Sequence, residues 1–310
     1  MLSRKLFTAA IVAGLIGVGA PAQAHGGDHA ESAKPSTSAP NTSGKAVYLT
    51  ARLNGANEVP TPGGPAVNDP NGHARAYVKI QGNQVSFGLK WRGIAAPTAG
   101  HIHAGAAGAN GPVSVGFFGQ ALSPSVRAAV GTVTVADAAV IASIKKNPGN
   151  FYANIHTAEF PGGAVRGQFH KTKAFDVKSV LRLNNTLKAN ANAAQEVQVP
   201  GGPLVGDPDG RAKWELKPTS RKLRYSTTWS RIAAPTAGHV HQAPAGANGP
   251  VVADVFGSLP ASFSGVRGVL PGVDRQVLKG LRYNPRGFYT NLHTGEFPGG
   301  AVRGQLSRAH

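Results

Sequence analysis

The chain has 310 residues, a formal net charge of +18 and a hydrophobic content of 41%. This length allows two ordinary domains that each bury a core, and the hydrophobic content excludes a wholly disordered protein. Because the chain has no cysteine, disulfides, thiolate metal sites and a cysteine nucleophile are excluded. Any metal must then be bound by histidine, carboxylate or backbone groups.

The first 24 residues are predicted to be a secretory signal peptide. Arg4 and Lys5 precede an apolar run at 6–20, and the segment closes with Ala-Gln-Ala at 22–24. The run is too short for a membrane span, and no later segment is long and apolar enough for one. We therefore expect an exported protein, periplasmic or secreted. Its net charge falls from +18 to +16 when the two basic residues are removed.

Residues 25–44 are polar and rich in Pro, Ser, Thr and Ala, which predicts a flexible tail. If cleavage follows Ala24, the new N-terminus places an α-amine and an imidazole on His25, and together they can chelate copper. The alternative for His25 is an ordinary flexible terminus without a ligand.

The rest of the chain is a tandem repeat. The segment at 96–113 matches the one at 234–251 at 14 of 18 positions, and 151–168 matches 288–305 at 15 of 18. We predict two domains, at about 45–170 and 179–308, joined by a short linker.

The elements of each repeat are mostly strands. In the first repeat, segments 47–53, 74–80 and 85–91 alternate apolar and polar residues, and 165–169 predicts a closing strand. One helix is expected per repeat, at 136–149 and at 272–287, because an Asp lies near each start and Asn-Pro ends each pattern. These elements predict a mainly β fold, a sandwich or a barrel, with one short helix in each domain.

Histidines provide the strongest functional signal. GHIHAGAAGANGP at 100–112 and GHVHQAPAGANGP at 238–250 each contain a His-x-His pair, and FYANIH and FYTNLH each end in a third histidine. Since residues i and i+2 of a strand face the same way, each pair can offer two imidazoles to one ion. Six histidines are matched between the repeats, and they are the predicted metal ligands: His101, His103, His156, His239, His241 and His293. The alternative is that these histidines only brace turns or the sheet.

Three imidazoles without a thiolate suit copper, zinc, nickel or iron. Three protein ligands with an open fourth position are typical of a catalytic metal site. Copper is the first candidate because, among the divalent first-row metals, it binds such donors with the highest affinity, and zinc is the next candidate.

Four further residues near the histidines are candidates. Glu159 and Glu296 follow the third histidine of each repeat by three residues, and each is predicted to be a fourth ligand, an acceptor that orients an imidazole, or only a turn residue. Arg166 and Arg303 are predicted to attract an anion to the metal as catalytic residues, with an ordinary strand-surface arginine as the alternative.

Two signature blocks, GHIHAGAAGANGPV at 100–113 and FYANIHTAEFPGGAVRGQF at 151–169, recur in the second repeat. They resemble the CHRD domain, named after chordin and found in many bacterial exported proteins. The resemblance covers both repeats and implies an immunoglobulin-like β-sandwich or barrel. In chordin the context is binding of a signalling protein, but chordin's cysteine-rich modules are absent here, so that partner does not carry over. A looser chemical similarity, to copper–zinc superoxide dismutase, rests on the His-x-His pair and a guiding arginine, but this chain lacks the disulfide and a separate zinc loop.

These observations leave two main hypotheses. In the first, each domain binds copper through three histidines and dismutes superoxide, a small anion that the basic chain attracts. In the second, the domains sequester metal or bind an extracellular polymer or protein without turnover. Zinc-assisted hydrolysis, with Glu159 and Glu296 as bases, ranks last. Nucleic acid is not an expected partner, because basic residues form no dense run interleaved with aromatics.

Overall fold

A computed structural model describes residues 38–184 and 186–308. The predicted signal peptide, His25 and most of the predicted tail lie outside the described residues. Within them, no helix is long and apolar enough to cross a membrane.

Each repeat forms nine strands and one α-helix. In the first repeat the elements are β1 Val47–Asn54, β2 His73–Gln81, β3 Gln84–Arg92, β4 Pro97–Ala104, β5 Val113–Phe118, β6 Val126–Thr134, α1 Ala138–Lys146, β7 Phe151–Thr157, β8 Val165–Gln168 and β9 His170–Lys171. In the second repeat they are β10 Leu187–Asn192, β11 Arg211–Pro218, β12 Lys222–Ser230, β13 Ala237–His241, β14 Val251–Phe256, β15 Phe263–Pro271, α2 Arg275–Tyr283, β16 Tyr289–His293, β17 Val302–Gln305 and β18 Ser307–Arg308. The predicted strands and helices are thus present, with ends that differ by a few residues.

The strands of each repeat pair antiparallel into two layers. In the first repeat the orders are β6-β3-β2-β1 and β8-β7-β4-β5, and the layers meet at the corner where Asn54 pairs with Arg166. In the second repeat the orders are β15-β12-β11-β10 and β17-β16-β13-β14, with Asn192 paired to Arg303 at the corner. The predicted mainly β fold of two tandem sandwich domains is confirmed.

The core lies between the two layers because apolar residues alternate along the strands. On β1, Leu49, Ala51 and Leu53 are buried, while their neighbours are more exposed. On β4, the side chain of Ile102 is 0% exposed, so the flanking residues of β4 face outward. The outer face of the β8-β7-β4-β5 layer therefore carries the histidines.

The two helices begin at an aspartate and end at an asparagine. Asp137 and Asp274 each accept hydrogen bonds from two backbone N–H groups of the first helical turn, as N-cap residues do. Pro148, the residue after the C-cap of α1, starts a separate 3-10 turn because proline lacks the N–H needed to continue the helix. The predicted range 136–149 thus joined a nine-residue helix to this following turn.

The repeats share one continuous sheet across their boundary. Strand β6 of the first repeat pairs antiparallel with β15 of the second, for example Ala129 with Val266. A 3-10 helix in the linker, Val177–Leu181, packs against this junction and forms a small apolar cluster with Ala128 and Val130. The linker therefore fixes the two domains together.

The described end of the predicted tail is held in place. Asn41 donates its backbone N–H to Asn83 Oδ1 at 2.7 Å, and the Asn83 backbone N–H donates to the Asn41 carbonyl at 3.0 Å. The Asn83 amide also donates to the Ala39 carbonyl at 2.9 Å. Residues 39–41 are thus bound to the β2–β3 turn by the side chain and backbone of Asn83, which differs from the predicted flexible tail.

Candidate metal centre

Two neighbouring strands bring three histidines of the first repeat together. His101 and His103 lie on β4, and His156 lies on β7, which pairs with β4 in the register His101 to Asn154. One nitrogen of each ring lies within 4.8 Å of one nitrogen of each other ring. His239, His241 and His293 form the same group on β13 and β16. The sheet thus assembles all six predicted ligands into two groups of three.

The central distances are short enough for one ion. His101 Nδ1 lies 3.3 Å from His156 Nε2, and His239 Nδ1 lies 3.0 Å from His293 Nε2. The first histidine of each group therefore faces the others with Nδ1.

Backbone carbonyls set the orientation of the other two rings. His103 Nδ1 donates to the Gly111 carbonyl at 3.0 Å, and His156 Nδ1 donates to the Pro161 carbonyl at 2.9 Å. Because a carbonyl only accepts, Nδ1 carries the hydrogen and Nε2 keeps its lone pair. The second group repeats both bonds, to Gly249 at 2.9 Å and to Pro298 at 3.0 Å.

One buried nitrogen in each group has no protein partner. His103 Nε2 and His241 Nε2 are both buried and accept no hydrogen bond. A buried acceptor without a partner is costly, and a metal ion at the centre of the group would supply the missing partner. The donor set therefore fits a metal that accepts three imidazoles, such as copper or zinc.

Burial lowers the pKa of five of the six imidazoles and so keeps these five neutral. Desolvation, followed by the neighbouring His156 and His103, lowers the pKa of His101 to about 3. Desolvation also lowers the pKa of His103 to about 4 and that of His239 to about 4. The pKa values of His241 and His293 are lowered by the same cause. Since only neutral imidazole binds a metal, these groups are ready to bind one at neutral pH.

A stacked column supports the middle histidine. The ring of His103 stacks on Tyr152 with centroids 4.9 Å apart and planes at 6°. The guanidinium carbon of Arg166 lies 3.4 Å from the Tyr152 ring centroid. In the second repeat, Tyr289 stacks with His241 at 4.7 Å and lies 3.5 Å from the guanidinium carbon of Arg303. Arginine, tyrosine and histidine thus form one unit in each domain.

The arginines are placed differently from the prediction. Arg166 is 1% exposed, and it donates to Asn110 Oδ1 at 3.0 Å, to the Ala106 carbonyl at 2.9 Å and to the Ala109 carbonyl at 2.7 Å. Arg303 is also 1% exposed and makes the equivalent bonds. Neither guanidinium faces solvent, because the loop after the His-x-His pair covers it. Each arginine therefore positions that loop, and steering of an anion by an exposed guanidinium does not follow from this placement.

The two predicted glutamates lie outside the groups of ligands. Glu159 and Glu296 are exposed, and neither contributes an oxygen to the clusters of nearby ligand atoms. The predicted role of an acceptor that orients an imidazole is filled instead by the Pro161 and Pro298 carbonyls, which accept from Nδ1 of His156 and His293. The accepting carbonyl in each repeat belongs to the proline that follows the glutamate by two residues.

The sequence prediction missed a second pair of glutamates. Glu58 accepts a bond from the Asn154 amide at 3.5 Å, and burial raises its pKa to about 8 against the opposing effect of Arg166. Glu196 lies against Asn291 in the same way, and burial raises its pKa to about 7. A signal for these glutamates is present in the sequence, because Glu58 and Glu196 are matched between the repeats and each is followed by valine. Each acid lies near the buried arginine of its own repeat, but burial outweighs the attraction of that arginine and favours the neutral form of the acid.

Comparison with known proteins gives one match. A family model described as the CHRD domain matches residues 49–169 and again residues 187–306. A search of curated proteins finds no match. A search of solved structures finds no match either. The matched segments contain all six histidines of the two groups.

Proposed function

The chain belongs to the CHRD domain family, and we propose that it is an exported metal-binding protein that holds one copper ion in each domain. The observation that carries the proposal is the repeated group of three histidines with a buried, unpartnered Nε2. His101 would bind the ion through Nδ1, and His103 and His156 would bind it through Nε2. The second domain would use the corresponding atoms of His239, His241 and His293.

The protein supplies a rigid and neutral set of donors. The Gly111 and Pro161 carbonyls fix two of the rings, and Tyr152 supports His103 from behind. Ligands held this way lose little freedom when an ion binds, which favours affinity. Zinc and iron also accept imidazole ligands, and copper is preferred because it binds such donors most strongly among the divalent metals.

Superoxide dismutation is the activity that we propose for the copper-loaded protein. Bound copper supplies a one-electron couple, with which two superoxide anions and two protons yield dioxygen and hydrogen peroxide. The chain contributes a strongly basic surface that raises the encounter rate with an anion. It also leaves the first and third histidines of each group only partly buried, so a small anion can approach.

Metal binding without turnover is the second candidate function. It is favoured by one observation, namely that Arg166 and Arg303 donate their N–H groups to loop oxygens and so face no incoming anion. In this case the protein would store or sequester copper, and its loops would serve only to hold the site.

Elemental analysis of the mature protein tests the metal site. We expect about two equivalents of copper above background, one per site. The variants His103→Ala and His241→Ala should each lose one equivalent, and the double variant should lose both while far-UV circular dichroism stays unchanged. Equal copper in the double variant and the parent protein would rule out the histidine groups as the binding sites.

Superoxide consumption then separates the two functions. The parent protein and the double variant are both incubated with copper, freed of unbound copper and compared at matched protein concentration. Consumption above the double variant supports dismutation, whereas full copper loading without added consumption supports storage.

A further inference from the structure

The two histidine groups differ at one neighbouring position. On β14, Asp254 pairs with His239, and its Oδ1 lies 3.7 Å from His239 Nε2. At the same position in the first repeat, Gly116 on β5 pairs with His101. A carboxylate therefore stands beside the first histidine of the second group only.

This carboxylate conflicts with the arrangement that the metal-free group would otherwise adopt. His293 Nδ1 donates to the Pro298 carbonyl, so its Nε2 can only accept, and His239 must donate to it from Nδ1 across 3.0 Å. A neutral His239 with its hydrogen on Nδ1 then turns the lone pair of Nε2 toward the Asp254 carboxylate. If the hydrogen moves to Nε2 instead, two lone pairs face each other between His239 and His293. Either arrangement is unfavourable.

A bound metal removes the conflict. His239 Nδ1 and His293 Nε2 would hold the ion through their lone pairs, and the ring hydrogen of His239 would then lie on Nε2, on the side of Asp254. In the first group, His101 can donate from Nδ1 to His156 without any opposing carboxylate. The metal-free state is therefore less favourable in the second group, and the negative charge of Asp254 additionally favours a cation nearby.

We propose that the two metal sites are unequal, and that Asp254 makes the site of the second domain bind metal more tightly and fill first. The proposal rests on the proposed function, since it assumes that the histidine groups bind metal. Partners of metal-bound histidines change affinity by about 10- to 100-fold. Asp254 is 76% exposed and 3.7 Å away, so we expect the lower end, about tenfold.

The structure offers a matched pair of substitutions. Asp254→Gly turns the second site into a copy of the first, and Gly116→Asp does the reverse. A side chain at position 116 has room, because a Cβ built there meets only His101 Cδ2, at 4.0 Å. Both substitutions lie on exposed or open positions, so the fold is expected to survive them.

The experiment titrates the metal-free mature protein with Cu(II) against a competing chelator. His103→Ala removes the first site, so that only the second site is measured, and His241→Ala removes the second site, so that only the first is measured. The double variant measures copper bound elsewhere, including the N-terminus. We expect the second site to bind about tenfold more tightly. Asp254→Gly should remove this advantage, and Gly116→Asp should strengthen the first site by a similar factor.

The outcomes separate the inference from the function on which it rests. Two sites of equal affinity, or affinities that neither substitution changes, would overturn the inference and leave the metal sites in place. Copper binding no stronger than in the double variant would overturn the proposed function, and the inference with it. Gly116→Asp acts in the other domain, so it tests the idea even if an Asp254 variant fails to fold.

Discussion

The substitution Arg166→Lys distinguishes an arginine that steers an anion from one that positions a loop. Lysine keeps the positive charge but lacks the planar fork with which Arg166 binds three oxygens of the loop after the His-x-His pair. If two of these bonds are lost at about 1–2 kcal/mol each, the loop is destabilised by about 2–4 kcal/mol. The Tyr152 ring also loses its stacked guanidinium, so the support behind His103 weakens.

Hydrogen exchange measured by mass spectrometry follows the loop directly. A cost of about 2–4 kcal/mol corresponds to amide exchange about 30- to 900-fold faster in peptides covering 104–112. Copper affinity of the first site should fall, while that of the second site stays unchanged. Arg92→Lys, at an exposed arginine on β3, is the matched control. Unchanged exchange and affinity in Arg166→Lys would refute the positioning role and leave charge alone as the function of this residue.

Three other predictions concern acid, base and the domain junction. The pKa values of His101, His103 and His239 lie below the ordinary 6.5, so the unfolded chain takes up protons first as the pH falls. The stability that these neutral histidines contribute is present above pH 6.5 and is lost as the pH falls below it. The metal-free protein should therefore lose about 2 kcal/mol per histidine in urea unfolding near pH 5, and equal stability at about pH 7.5 and pH 5 would contradict this. Burial raises the pKa of Glu58 to about 8, so the stability that its neutral form contributes should be present below about pH 4.5 and lost as the pH rises toward 8. In the same urea unfolding assay, Glu58→Gln should show a flatter dependence of stability on pH. Parallel profiles for the variant and the parent protein would contradict this prediction. Leu181→Ala removes a side chain that is 3% exposed at the domain junction, and it should cost about 2–5 kcal/mol in urea unfolding; a loss below about 1 kcal/mol would show that the linker does not hold the domains together.

The fold could be predicted from the sequence where short-range patterns decide it. The alternation of apolar and polar residues along 47–53 and 74–80 indicates strands with one buried face. Asp137, followed later by Asn-Pro, indicates a helix with a cap at each end. The pairing of β6 with β15 had no such signal. Both strands have an ordinary apolar pattern, and which edge pairs with which is decided by shape and by the linker helix that packs over the junction.

The candidate site was predicted unevenly for a similar reason. The histidines were found because i, i+2 spacing and duplication are visible in the sequence itself. Backbone carbonyls accept from Arg166 and from the imidazole N–H groups. Because every residue carries a carbonyl, the residue types in the sequence do not indicate which ones accept. Glu58 was visible as a matched acid, but its distance of 96 positions from Asn154 hid the contact.

The repeats agree over more positions than three metal ligands require, and the stacked column explains the excess. Tyr152 and Arg166 recur as Tyr289 and Arg303 because each pair supports the middle histidine of its group by stacking. Gly111 and Gly249 recur because their carbonyls orient the middle histidine at a point where the chain passes close to itself. A Cβ at Gly111 would lie 1.5 Å from the Ala104 carbonyl oxygen, so no other residue fits there. Under the proposed function, the two signature blocks encode both the three histidines and the residues that support them. Substitution of a supporting residue should then lower metal affinity, although that residue is not itself a proposed ligand.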